Sequence, residues 1–150
     1  MAHTFVKDIM VKELFTIDSS KTIRDAATLM FDKGVGCVII TKNNKPCGIL
    51  TERDFITKIA SKGIPYTTSI SEVMSIPLIV TKPDDTVWEA SQLMKTKNIH
   101  KLPVKEGDNL IGIITASDII KICSLGSDSE MRKICDQILL RIKETPYNPN

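Results

Sequence analysis

The sequence carries little surplus charge. Twenty basic side chains stand against 18 acidic ones, a formal net charge of +2. Nucleic-acid-binding chains ordinarily show a strong basic excess on one face, so DNA or RNA is not expected as a partner. Long apolar runs are missing too. None approaches the roughly 18 residues a membrane span needs, and Met1 to Met10 lack the apolar core of a signal peptide. No membrane partner is expected, and the expected location is cytoplasmic. Histidine is scarce, with His3 and His100 alone, which leaves few general bases. There is no Walker-type Gly-x-x-x-x-Gly-Lys loop, no cluster with metal-ligand spacing and no activated-nucleophile constellation. Catalysis, an obligatory cofactor and a metal are therefore not expected. The four cysteines, Cys37, Cys47, Cys123 and Cys135, show no Cys-x-x-Cys spacing. Free thiols in a reducing cytosol are the expected state.

What is present is an ordinary globular composition, 42% hydrophobic and 25% charged over 150 residues. That suits one compact domain or two small repeats sharing a core. Self-comparison decides for the repeats. Val6–Lys58 aligns without a gap on Ile70–Ile122, a shift of 64 residues. Met10 falls on Met74, Leu14 on Leu78, Thr22 on Thr86, Ala26 on Ala90 and Leu29-Met30 on Leu93-Met94. The most telling match is a phrase said twice. Gly48-Ile49-Leu50-Thr51-Glu52-Arg53-Asp54 returns as Gly112-Ile113-Ile114-Thr115-Ala116-Ser117-Asp118.

Each unit reads as β-α-β-β-α. A short β-rich stretch comes first, Leu14–Ile17 and Leu78–Val80. A helix follows, opened by Thr22-x-x-Asp25 and Thr86-x-x-Glu89, both of capping-box type. Ile23, Ala26, Ala27 and Met30 recur at helical spacing, as do Val87, Ala90 and Met94. Two strands come next, Cys37–Thr41 with Cys47–Leu50 and Lys101–Val104 with Leu110–Ile114. They flank turns rich in Asn, Gly, Asp and Pro. A second helix starts near each Thr-x-x-Asp, over Glu52–Ser61 and Ala116–Cys123. Residues 1–62 are thus repeat 1, residues 63–69 a linker, residues 70–123 repeat 2, and residues 124–150 a C-terminal helix and tail. A unit of about 60 residues buries only about 60% of its surface, so the repeats are expected to cover each other. The predicted fold class is α+β, with the repeats related by pseudo-two-fold symmetry, sheets facing, and a cleft on each side.

The tail has its own pattern. After Ser127-Asp128-Ser129-Glu130, a capping sequence, Met131, Ile134, Cys135, Ile138, Leu139 and Ile142 form an apolar helical stripe. It serves either to lie on its own domain or to contact a partner, and the pattern does not choose. Thr145–Asn150, with two prolines, is expected to fray.

Taken alone, Thr-x-x-Asp is a helix cap. Its double occurrence behind Gly-h-h (h, apolar) makes it a candidate site as well, and one Thr can do both. Two β-α-β-β-α units, each opening with a Met before a short apolar strand and closing with Gly-h-h-Thr-x-x-Asp-h, resemble a cystathionine-β-synthase (CBS) domain pair, or Bateman module. The resemblance runs from about Phe5 to Cys123. Asn98-Ile99-His100-Lys101-Leu102-Pro103-Val104 also resembles the adenylate-sensing γ subunit of AMP-activated protein kinase.

The resemblance implies that residues 1–123 together form one module binding an adenosine-containing ligand between the repeats. AMP, ADP or ATP is the first choice, and S-adenosylmethionine or a related compound the second. It implies that Asp54 and Asp118 take the ribose hydroxyls. It gives Thr51 with Arg53, and Thr115 with Ser117, to the phosphate, and adds His100 and Lys101. Ile49 and Ile113 would line the adenine slot, with main chain around Lys12–Glu13 and Ile76–Pro77 at the adenine edge. The chemistry is sound. A carboxylate accepts both donors of a vicinal diol, and a helix N-terminus offers N–H groups to phosphate. A regulated partner protein and a homodimer of such pairs are the further expected partners. Two readings stand. One is a ligand sensor without catalysis; the other is a structural dimerisation module with vestigial clefts. The repeats also differ, with His100-Lys101 where the first has Gly36-Cys37 and Arg53 where the second has Ser117. Two related sites of unequal affinity are expected. Which of them His100 and Lys101 serve is left open.

Overall fold

The computed structural model describes residues 3–123, 129, 132–136 and 140. In chain order it contains α1 (Val6–Ile9), β1 (Thr16–Asp18), α2 (Ile23–Lys33), β2 (Cys37–Lys42), β3 (Lys45–Thr51) and α3 (Glu52–Asp54). There follow α4 (Val87–Lys97), β4 (Lys101–Glu106), β5 (Asn109–Thr115) and α5 (Ala116–Cys123). The mixed α+β layout and the duplication are as the sequence implies.

The contacts divide the chain into two units that do not coincide with the sequence repeats. Residues 14–79 form one unit, and the segment up to Glu13 joins the chain from Val80 onwards in the other. The opening of each repeat is therefore packed in the unit that holds the rest of the other repeat. In the first unit, the Ile70 N–H donates to the Lys21 carbonyl at 2.9 Å and the Ser71 N–H to the Ser19 carbonyl at 3.1 Å. In the second, the Val6 N–H donates to the Asp85 carbonyl at 2.8 Å and the Lys7 N–H to the Pro83 carbonyl at 3.0 Å. These pairs are related by the 64-residue shift.

In the unit of residues 14–79, β1 runs parallel to β2, and β2 antiparallel to β3. The hairpin turns through Asn43 and Asn44, both at positive φ (51° and 60°), as a two-residue hairpin turn demands. The core joins Ile23, Ala26 and Met30 of α2 to Val38, Ile40 and Leu50 of the strands, and Ile59, Ile70 and Val73 complete it. The helix predicted over Glu52–Ser61 is irregular. After α3 the chain widens into a π turn at Phe55–Ile59 and tightens to 3₁₀ at Ala60–Lys62. Thr57 and Ser61 hydroxyls donate back to the carbonyls of Arg53 and Thr57, each at 2.8 Å, a habit that bends helices.

In the other unit β4 and β5 form an antiparallel pair, and α4 presents Val87, Ala90 and Met94 to the core. The strand expected at Leu78–Val80 does not form. Only a single parallel bridge, Thr81 to Val104, stands in its place. The cause is Pro103. It occupies the position of Ile39, whose N–H donates to the Phe15 carbonyl at 2.9 Å, and proline has no N–H to give.

Both predicted capping boxes form. Asp25 N–H donates to Thr22 Oγ1 at 3.2 Å and Thr22 N–H to Asp25 Oδ2 at 2.9 Å. Glu89 and Thr86 repeat the pattern at 3.2 and 2.7 Å. The expectation of four free thiols is corrected in part. Cys123, the last residue of α5, is disulfide-bonded to Cys135, while Cys37 and Cys47 are thiols. Of the predicted tail helix, residues 132–136 are helical with Ile134 buried. Met131, Ile138, Leu139, Ile142 and the tail beyond lie outside the described residues. Among the described residues no helix is long and apolar enough to cross a membrane.

Candidate functional site

Each repeated phrase occupies the end of a strand and the start of a helix. The two glycines are there for a steric reason. A Cβ on Gly48 would lie 2.9 Å from the Ser75 carbonyl oxygen, and one on Gly112 would lie 2.8 Å from that of Val11. Both are backbone atoms that cannot swing aside. Past each glycine the exchanged segment pairs with the strand. Ile49 and Ser75 trade N–H···O bonds of 3.1 and 2.8 Å, and Val11 and Ile113 trade bonds of 2.9 and 2.8 Å.

This pairing decides which predicted residues meet. Ile49, Thr51, Arg53 and Asp54 share the unit of residues 14–79 with Ile76 and Pro77, which follow Ser75 directly. Ile113, Thr115, Ser117 and Asp118 share theirs with Lys12, which follows Val11. His100 and Lys101 belong beside the second motif. Lys101 pairs with Thr115 across the hairpin, and the Ala116 N–H donates to the His100 carbonyl at 2.9 Å. Lys12, Arg53, Ile76, Pro77, His100 and Ser117 are exposed, while Ile49 and Lys101 are half-buried and Ile113 is buried.

The two carboxylates begin alike. Asp54 Oδ2 accepts the Thr51 N–H at 2.9 Å and the Thr51 hydroxyl at 3.2 Å. Asp118 Oδ2 accepts the same two donors of Thr115, at 3.0 and 2.7 Å. At the second site the Asp118 N–H also donates to Thr115 Oγ1 at 3.2 Å, so Thr115 caps its helix in full. The two carboxylates part at Oδ1. Asp54 Oδ1 accepts the Ser75 hydroxyl at 3.1 Å and lies 3.2 Å from Lys58 Nζ, which also donates to Ser75 Oγ at 2.7 Å. Asp54 is buried, with 6% of its surface exposed. Asp118 is half-buried, and among the described residues no side chain bonds to its Oδ1.

Lys58 and Ser75 were missed from the sequence. Lys58 had a signal, since acid and base four residues apart on a helix face each other. Ser75 had none, because only the segment exchange brings it to Asp54. A separate cavity of about 590 Å³ lies in the unit of residues 14–79, lined by Ala27, Met30, Phe31, Val35, Glu52 and Phe55 among others. None of the predicted site residues lines it. Among the described residues no group of three or more His, Cys, Asp or Glu side chains is placed to hold a metal ion.

The same strand–glycine–cap–carboxylate arrangement, built twice in register, has a match in known proteins: the CBS domain profile fits residues 6–61 and 70–124. The chain belongs to the CBS domain family. A CBS domain-containing protein of Bacillus subtilis, YhcV, is 35% identical over 114 residues, spanning 76% of this chain and 81% of that protein. Seven further curated relatives are longer, and this chain spans 22% to 64% of their lengths. Among solved structures, a putative signal-transduction protein with CBS domains from Burkholderia ambifaria superposes with a TM-score of 0.78 at 26% identity, over 83% of this chain and 97% of that one. The CBS domain pair of protein MJ0100, solved with 5′-methylthioadenosine and S-adenosyl-L-methionine, gives 0.74 at 27% identity, over 82% of this chain and 98% of that one. CBS pairs are regulatory modules, and the two CBS repeats account for nearly all the described residues.

Proposed function

We propose that this CBS pair is a ligand-sensing module that binds an adenosine-containing molecule and does no catalysis. The observation that carries the reading is the doubled carboxylate at a helix N-terminus, each held by its own Thr beside an exchanged segment. A carboxylate in that setting suits the hydroxyls of a ribose, and the adjacent helix N–H groups suit phosphate oxygens. His100 and Lys101 add basic character on the Asp118 side. The complex of the MJ0100 pair with two adenosine derivatives supports the ligand class. AMP, ADP and ATP come first because of the basic residues around the motifs, followed by S-adenosylmethionine and its relatives. A cytoplasmic site of action fits such ligands.

Thermal denaturation in the presence of AMP, ADP, ATP, S-adenosylmethionine and 5′-methylthioadenosine tests this. A specific ligand at about 100 times its Kd stabilises the folded state by about 2.7 kcal/mol. No shift with any of the five at millimolar concentration sinks the proposal.

Assembly is the second reading, and one observation favours it. Phe31, at the edge of the 590 Å³ cavity, is 86% exposed. With the half-buried Ala27, Val35 and Phe55 lining the same cavity it makes a contiguous apolar patch, which suits a homodimer contact. Size-exclusion with light scattering on wild type and Phe31→Asp decides it. A monomer in both rules the contact out.

A further inference from the structure

We infer that the two motifs have divided their roles. Lys58 acts as a built-in occupant of the Asp54 carboxylate, and Asp118 is the carboxylate open to ligand. This rests on the reading of the module as an adenosine-compound sensor and names which half of it binds.

The argument is one of acceptor capacity. An ionised carboxylate offers about four lone-pair positions on its two oxygens. Asp54 has four donors: the Thr51 N–H, the Thr51 hydroxyl, the Ser75 hydroxyl and the Lys58 ammonium. It is full, its charge is matched by a cation at 3.2 Å, and it is buried. Two ribose hydroxyls would have to displace both Lys58 and Ser75. Lys58 in turn holds Ser75 Oγ at 2.7 Å and reaches the Val73 carbonyl at 3.5 Å. Breaking the cluster thus strips several partners at once.

The repeat comparison shows what the other half has instead. The 64-residue shift places Ile122 at the position of Lys58 and Val11 at that of Ser75. Neither side chain has a hydrogen to donate. Asp118 keeps the two Thr115 donors and has room for two more, which is the number a vicinal diol supplies. Val11, 45% exposed and bridged to Ile113, and the half-buried Ile122, one helical turn beyond Asp118, are the apolar residues that a sugar or base edge would meet. The same half carries His100 and Lys101. Two substitutions, one on the motif's own helix and one on the exchanged segment, therefore separate a filled site from an open one.

Isothermal titration of the full chain with AMP, ADP, ATP and S-adenosylmethionine tests this through stoichiometry. Wild type is expected to bind one equivalent, and Asp118→Asn to weaken it at least tenfold. Lys58→Met combined with Ser75→Ala, which frees both Oδ1 positions of Asp54, is expected to raise the count to two, and adding Asp54→Asn to that double variant to return it to one. Should that double variant unfold, Lys58→Ala with Ser75→Ala removes the same donors, lets water reach Asp54 and serves in its place; circular dichroism melts check both. Two equivalents in wild type, an unaffected Asp118→Asn, or one equivalent in a folded variant lacking both Lys58 and Ser75 donors overturns the inference and leaves the sensor reading standing. No binding of any of the four by wild type overturns both.

Discussion

Gly48 and Gly112 carry a constraint that has nothing to do with backbone freedom, since neither is at positive φ. Each sits where another segment's carbonyl oxygen comes within 3 Å of the place a Cβ would take. Gly112→Ala is expected to destabilise the protein by about 1–3 kcal/mol, the usual cost of overpacking a fixed site, read as a lowered Tm. Gly48→Ala should behave likewise. A variant as stable as wild type would mean that the exchanged segment does not approach as described. At this scale the sequence was readable in its repeats and misleading in its sameness. Thr51 with Asp54 and Thr115 with Asp118 look equivalent in the alignment, and each Thr gives its Asp the same two donors. They differ through residues outside the motif. Lys58 stands four places further on and was within reach of helical-spacing arguments. Ser75 comes from the opening of the other repeat, where local pattern has nothing to say.

At the level of elements, strand and helix positions followed the apolar periodicity closely, and the exceptions have chemical causes. Pro103 truncates a parallel pairing that Ile39 sustains, a difference visible in the sequence, because a proline in an inner strand position forfeits a donor. The widened turn after α3 was not visible, since back-bonding by Thr57 and Ser61 depends on rotamers. The caps were predictable from Thr-x-x-acid spacing, and one of them titrates usefully. Asp25 is held below the usual carboxylate range, first by the Thr22 backbone N–H and then by its hydroxyl. A carboxylate with a depressed folded-state pKa contributes stability above its unfolded pKa and loses it as pH falls through the folded value. The Tm deficit of Asp25→Ala relative to wild type is therefore expected to be full at neutral pH and to shrink below the ordinary carboxylate range. Melts from pH 7 down to about pH 3 check this, and a deficit that does not change with pH contradicts it.

For the whole molecule, the duplication was legible and the exchange was not. Val6 and Ile70 are both apolar residues opening a repeat, and each would satisfy the groove of either unit. Sequence fixes what kind of residue fills a groove, not which copy supplies it. The exchange has a consequence for the chain once it is cut. The connector of residues 63–69 is turn and loop, and Tyr66 is exposed. A protease cleaving there would leave two fragments, each holding a piece of the other's interior: Val6 to Val11 seated against Pro83, Asp85 and Ile113, and Ile70 to Ser75 seated against Ser19, Lys21 and Ile49. The nicked protein should co-elute as one species under native conditions and come apart only in denaturant. Fragments that separate in plain buffer would contradict the exchange. A single break in the covalent chain is thus not a break in the fold, because the halves are fastened to each other reciprocally rather than strung in series.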